Sequence, residues 1–167
     1  MPGPIPRRTL LSLLGLAPWI AHALEAPSGP VVLSLSGRIG KPNRDGQALF
    51  DMPMLAALPQ HSLVQKTPWY PSPRKFTGPL LRDVLAAAGA QGQQIEARAI
   101  NDYKVSIPME DAQEHGVILA RLLDDQPMPL RDKGPLFIMY PFDGQTKLRS
   151  SIYYSRSIWQ LKSLDIR

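Results

Sequence analysis

Residues 79–108 read PLLRDVLAAAGAQGQQIEARAINDYKVSIP, and two periodicities follow one another in them. As far as Ala88 the apolar residues recur at helical spacing. Leu80, Leu81, Val84, Leu85 and Ala88 form one stripe, and Arg82 and Asp83 point away from it. Pro79 suits a helix start, where its missing N–H would have no partner anyway, and Gly89 suits the residue just past the end. The spacing predicts a helix over 79–88. The period then falls to two. Ile95, Ala97 and Ala99 alternate with Glu96 and Arg98; after Asn101-Asp102, Tyr103, Val105 and Ile107 alternate with Lys104 and Ser106. That is the pattern of a hairpin.

On the N-terminal side, Val31, Leu33 and Leu35 alternate with Val32, Ser34 and Ser36, which predicts a strand ending at Gly37. Gly40–Gly46 reads as a polar loop. Asp51 suits the N-cap of a short helix with Pro53 in its first turn and Met54, Leu55 and Leu58 on one side. Residues 62–65 read as a strand. TPWYPSPRKF, 67–76, holds three prolines and three aromatics and reads as a loop. On the C-terminal side, 108–114 reads as one or two helical turns. Val117–Leu123 and Leu136–Tyr140 are continuous apolar runs that suit strands buried on both faces. Turns are expected at 124–127 and 133–135, a short helical turn within 155–161, and a strand over 162–167. No internal repeat occurs. The expected fold is a single compact, strand-rich α+β domain over 24–167 with a few short helices.

The chain has 167 residues, enough for one domain. It contains 18 prolines and no cysteine. The lack of cysteine excludes disulfides, Cys-ligated zinc, iron–sulfur clusters, a cysteine nucleophile and any thiolate ligand. Residues 1–23, MPGPIPRRTLLSLLGLAPWIAHA, have the three parts of an export signal. Arg7 and Arg8 are basic, Leu10–Ile20 is an apolar stretch too short to span a bilayer, and Ala21-His22-Ala23 is a small-x-small cleavage site. The arginine pair faintly resembles a twin-arginine signal, and an ordinary Sec signal fits as well. A periplasmic protein that is not membrane-embedded is expected. Removing Arg7 and Arg8 lowers the formal charge of +5 by two. The remaining basic residues are scattered, which argues against nucleic-acid binding.

The common catalytic sets are absent. His61 and His115 are far apart and in no ligand spacing, no GxSxG elbow occurs, and Gly89-Ala90-Gln91-Gly92 follows a helix rather than opening one. Glu110, Asp111 and Glu114 near a helix start suit the helix dipole, and Asp124-Asp125 reads as a turn. The chain does supply Trp69, Tyr70, Tyr103, Tyr140 and Trp159 at loop edges and strand ends, with Asp102, Asp143 and Arg156 beside them in the sequence order. Such groups suit a flat heteroaromatic ligand such as a pterin. A carboxylate accepts from its amino group and ring N–H, a guanidinium donates to its carbonyl oxygen, and an aromatic ring stacks on its face. The same residues also suit a different role, in which the aromatics fill the core and Asn101-Asp102 only turns the hairpin.

Several stretches in order carry a family resemblance: TPWYP (67–71), KFTGPLLRDVLAAAGA (75–90), ARAINDYKVSIP (97–108), VILARLLDDQPMPLRDKGPLFIMYP (117–141) and SRSIWQLKSLDIR (155–167). From Ser62 to Arg167 the chain resembles the sulfite oxidase-type molybdopterin-binding domain. The resemblance implies that family's fold, and a cysteine thiolate holding molybdenum in the loop where this chain has Thr67. With no cysteine present, the chain is similar to small exported members that bind a free pterin, without catalysis and without a metal-binding residue. These dock on the periplasmic domain of a membrane signalling protein, often one that makes or degrades cyclic di-GMP. The alternative is a molybdopterin-dependent oxidoreductase or a subunit of one. No covalently attached cofactor is implied; the ligand is a pterin, or molybdopterin on the alternative. Carried over by position, Trp69 and Tyr103 stack on the ligand, Asp102 (next to Asn101) takes its pyrimidine edge, and Arg156 takes its carbonyl oxygen. Thr67 makes one hydrogen bond, and Tyr140 and Trp159 border the pocket.

Overall fold

The computed structural model describes residues 23–167, and within them the chain forms three sheets and four short α-helices. The expected export signal lies outside the described residues apart from Ala23. A five-stranded sheet has the order β2-β1-β11-β5-β6, built from β1 (Val31–Gly37), β2 (Ala48–Asp51), β5 (Gln94–Ala99), β6 (Lys104–Pro108) and β11 (Leu161–Ile166). β1 and β11 run parallel, Ser34 opposite Ser163, and the other pairs are antiparallel. A second sheet has the order β3-β4-β8-β9: β3 (Gln60–Gln65), β4 (Arg74–Pro79), β8 (Leu122–Leu123) and β9 (Gln126–Pro127). β7 (Ile118–Ala120) and β10 (Phe137–Met139) form an antiparallel pair.

The alternation seen in the sequence decides which faces are buried. Leu33 and Leu35 of β1, Ile95 and Ala97 of β5, and Leu161 and Leu164 of β11 are all shielded from water. Helix α2 (Leu81–Ala87) buries Leu81, Val84 and Leu85 in the same core, each worth roughly 1.5–3 kcal/mol of apolar transfer. β7 and β10 are buried at every position, as their unbroken apolar runs require.

Helix α1 (Met52–Ala57) shows its cap plainly. The Asp51 carboxylate accepts the Met54 N–H at 2.9 Å, and it also accepts the N–H groups of Ser28 and Gly29 at 2.8 Å each. These bonds, Met54's first, hold the Asp51 pKa below its ordinary value. A carboxyl depressed on folding stabilises the fold above its unfolded pKa and loses that contribution as pH falls through its folded value. The thermal midpoint should therefore fall as pH drops below about 4. Asp51→Asn should lower the midpoint at neutral pH and make this acid limb shallower, as followed by circular dichroism.

The structure corrects five expectations. Strand β4 begins at Arg74, inside the stretch read as a loop, because β3 pairs with it from Gln60–Pro79 to Gln65–Arg74. Pro79 therefore ends a strand, and helix α2 starts two residues later. β2 was not predicted; all four of its residues are buried, so no alternation marks it. The run Val117–Leu123 is two strands, since β7 pairs with β10 while β8 pairs with β4. Helix α4 spans Ser151–Arg156, earlier than expected, and residues 157–160 are irregular.

β4 and β7 cross closely and join the smaller sheet to the buried pair. The Arg121 N–H donates to Thr77 O at 2.9 Å, and the Leu81 N–H donates to Val117 O at 2.8 Å. Helix α3 (Met109–Glu114) follows β6 directly and lies under the segment that carries α4.

Candidate functional site

A cleft of about 370 Å³ opens where three stretches meet. The segment between β3 and β4 supplies Trp69. The β5–β6 turn supplies Asn101 and Tyr103. The end of α4 and the residues after it supply Tyr154, Ser155, Ser157 and Trp159.

Trp69 forms the floor. Its ring meets Phe137 edge-on at 5.3 Å between centroids, Trp159 at 6.0 Å and Tyr154 at 6.1 Å. Phe137 is fully buried, so the indole is seated on the core and half-exposed above it. Tyr103 and Trp159 are 49% and 37% exposed, and their apolar faces stand at the mouth. Polar groups are few. The Asn101 side-chain oxygen accepts the Tyr103 N–H at 3.1 Å, which holds the carboxamide in the turn. The Ser157 hydroxyl donates to Tyr153 O at 2.9 Å and the Ser155 hydroxyl donates to Ile152 O at 2.7 Å. Each hydroxyl oxygen keeps lone pairs that can accept from a ligand.

The structure thus brings together four of the expected residues, Trp69, Asn101, Tyr103 and Trp159. It places the other four elsewhere. Asp102 stands in the left-handed region, φ 66°, with its side chain 70% exposed. It accepts from Lys162 Nζ at 2.8 Å, with Arg98 at 3.9 Å. The Lys162 bond and charge hold its pKa below the ordinary carboxylate value. Arg156 does not face Asp102; its Nη1 donates to Asp111 Oδ2 at 2.8 Å. The expected carboxylate–guanidinium grip by Asp102 and Arg156 is therefore replaced by two separate ion pairs. Tyr140 is fully buried, and its hydroxyl donates to the same Asp111 oxygen at 2.7 Å. Burial, and then the Asp111 carboxylate, push the phenol pKa far up, so it stays a donor. Asp111, read from the sequence as an acid suited to the helix dipole, is buried.

Thr67 lines a smaller hollow that shares Tyr154 with the cleft and includes Asp143 and Arg149. Arg149 Nη2 donates to Asp143 Oδ1 at 2.7 Å, and the Lys66 N–H donates to Asp143 Oδ2 at 3.2 Å. The Thr67 hydroxyl is buried and has no hydrogen-bond partner among the described residues.

Sequence reading missed Tyr154, Ser155 and Ser157. Their cue was the Ser150-Ser151 pair, which suits a helix start and would have moved α4 forward.

A family model described as the oxidoreductase molybdopterin binding domain matches residues 52–143. The chain belongs to this family. The match covers Thr67, Trp69, Asn101 and Tyr103, and the cleft wall at 154–159 follows it. Among solved structures, the molybdopterin-binding domain found here is similar to the sulfane dehydrogenase SoxCD from Paracoccus pantotrophus, with TM-score 0.59 and 18% identity. The likeness covers 80% of this chain and 37% of that chain, so this chain spans little more than a third of its length. At that identity it establishes the fold, a strand-rich domain with few short helices. No curated protein sequence matches the chain.

The family implies a molybdopterin, and the fit divides in two. The resemblance places a metal-binding thiolate at residue 67. There the chain has a buried, unpartnered hydroxyl, and it contains no cysteine anywhere. An aliphatic alcohol stays protonated near neutral pH and is not a soft ligand. Among the described residues no three His, Asp or Glu side chains are grouped to hold a metal. The residues present do not fit a thiolate-held molybdenum centre. The cleft's aromatic side chains offer the kind of surface on which a flat organic ring can stack.

Proposed function

We propose that this domain binds a free pterin in the Trp69–Tyr103–Trp159 cleft without catalysing a reaction on it. The observation that carries the reading is a cleft with four aromatic side chains and a short polar edge, beside a threonine where the family's metal ligand would stand. A pterin's ring edge donates through its amino group and N–H and accepts through its carbonyl oxygen. The Ser155 and Ser157 oxygens can accept such bonds, and the Asn101 amide can donate one. Ser155 and Ser157 thus take the accepting role that the resemblance gave to Asp102, and Asn101 the donating role that it gave to Arg156.

The protein is proposed to act in the periplasm, on the strength of its export-type leader. Among the described residues no helix is long and apolar enough to cross a membrane. We also propose that the domain relays ligand state to the periplasmic domain of a membrane signalling protein, such as one that makes or degrades cyclic di-GMP. Two features support this. Ligand and partner would share a surface, because Tyr103 and Trp159 are exposed at the cleft mouth. Ile152 is also 57% exposed on α4. A relay requires the partner to bind loaded and empty forms unequally.

Titration with biopterin, followed by quenching of tryptophan fluorescence, tests the reading. Saturable binding is expected. Asn101→Ala should weaken it about fivefold, the loss of one net hydrogen bond. Asp102→Ala should change it by less than about twofold, since exposed ion pairs contribute little. Mass spectrometry of the purified protein should find a co-purifying pterin. Stoichiometric molybdenum in protein from its native host would overturn the proposal in favour of a metal cofactor held without cysteine.

A further inference from the structure

Helix α4 meets the core through two half-buried rings, Tyr153 on Tyr140 and Tyr154 on Phe142. It is six residues long, buries none of them fully, and makes no side-chain bond at its N-cap Ser150. A helix this short does not persist alone in water. Yet Tyr154 and Ser155 on it, and Ser157, Ile158 and Trp159 directly after it, supply one whole wall of the cleft. Its last residue, Arg156, donates to the buried Asp111 carboxylate of α3 at 2.8 Å. The same oxygen accepts the Tyr140 hydroxyl, so the carboxylate is fixed from the core side as well. His115 Nε2 lies 3.9 Å from its other oxygen. The Arg156 guanidinium also lies over the Tyr153 ring at 5.4 Å, and Tyr153 packs on Tyr140 at 5.4 Å. The tether therefore enters α4 at the residue where helix gives way to cleft wall.

We propose that Asp111 is a positioning residue: its ion pair with Arg156 holds α4 and residues 157–159, and with them one wall of the cleft, in the ligand-accepting arrangement. That the ligand is a pterin rests on the function proposed above; that Asp111 holds the wall does not. Asp111 does not line the cleft; it reaches the wall through Arg156, and through Tyr140, which packs on Tyr153 of α4. Asp111 is buried and Arg156 largely so, and removing the carboxylate leaves the guanidinium poorly compensated, so the segment should loosen.

Amide hydrogen exchange on the ligand-free protein reads the wall directly. Asp111→Asn should raise exchange at residues 151–159 by about tenfold or more, the signature of local opening, with the β1–β11–β5 strands unchanged. Arg156→Lys, which keeps a cation, should restore most of the protection relative to Arg156→Ala. Leu85→Ala, a core change on α2, serves as control: it should lower the thermal midpoint without selective exchange at 151–159. Unchanged exchange at 151–159 in folded Asp111→Asn, or a uniform rise matching the Leu85→Ala control, would overturn the proposal. Biopterin titration of the same proteins then separates the two readings. Binding to wild type about tenfold tighter than to Asp111→Asn supports both. Absence of binding to wild type removes the pterin and leaves the exchange result to decide the role of Asp111.

Discussion

Trp69→Ala should destabilise the protein by about 3 kcal/mol, near the low end for removing a large aromatic from a packed site, and should weaken biopterin binding about tenfold to a hundredfold. The two losses have different origins. The stability loss comes from below, where the indole meets the fully buried Phe137 and also contacts Phe142 at 6.2 Å between centroids. Deleting it opens a void that these rings cannot close without leaving their own packing. The low end of the range applies because Trp69 is only half-buried. The affinity loss comes from the part of the indole left exposed, which lines the cleft. Trp69→Phe should separate the two effects. It keeps an aromatic face and most of the stacking, so binding should recover to within about fivefold of wild type while part of the stability loss remains. Urea unfolding and fluorescence titration read the two quantities independently. Affinity unchanged in Trp69→Ala would move the stacking role to Tyr103 or Trp159.

What was legible in the sequence followed the range of the interaction behind it. The helix at 79–88 and the hairpin at 95–107 came from local periodicity, and α2, β5 and β6 lie within a residue or two of those bounds. The Asp51 cap could be read because capping spans only three residues. β2 could not, nor could the break between β7 and β8: the pairing of β8 with β4 is set far away in the chain, and a strand as short and fully buried as β2 shows no alternation. The site divides along the same line. The three stretches that form it were readable as aromatic and polar landmarks, and Trp69, Asn101, Tyr103 and Trp159 do meet. The partner of Arg156 was not readable. Asp102 is the nearer acid to the turn, but the hairpin gives it a left-handed backbone and points it at Lys162 of the neighbouring strand. Asp111 sits on a helix face that the fold turns inward, and nothing within a few residues of it announces that burial.

The fold depends just as sharply on one backbone crossing. At Gly78 of β4, a Cβ would fall inside the space of the Leu119 carbonyl, against the backbone of β7. Neither side can yield easily. Gly78 pairs with His61 in the sheet, and its neighbour Thr77 accepts the Arg121 N–H at 2.9 Å. Leu119 pairs with Ile138 of β10 and is fully buried. Moving β7 outward would carry β10 with it, and Phe137 of β10 is the residue on which Trp69 rests. Gly78→Ala should therefore cost about 3 kcal/mol, the upper part of the range for overpacking. The strain should also spread to the cleft floor, so that tryptophan emission shifts even in the fraction that folds. Gly144→Ala is the matched control. It also adds one methyl, its nearest neighbour is the Pro141 carbonyl at an ordinary 3.8 Å, and its effect should stay within about 0.5 kcal/mol. Comparable urea midpoints for the two variants would show that β4 and β7 can separate by the width of a methyl group. The cleft would then not depend on this crossing.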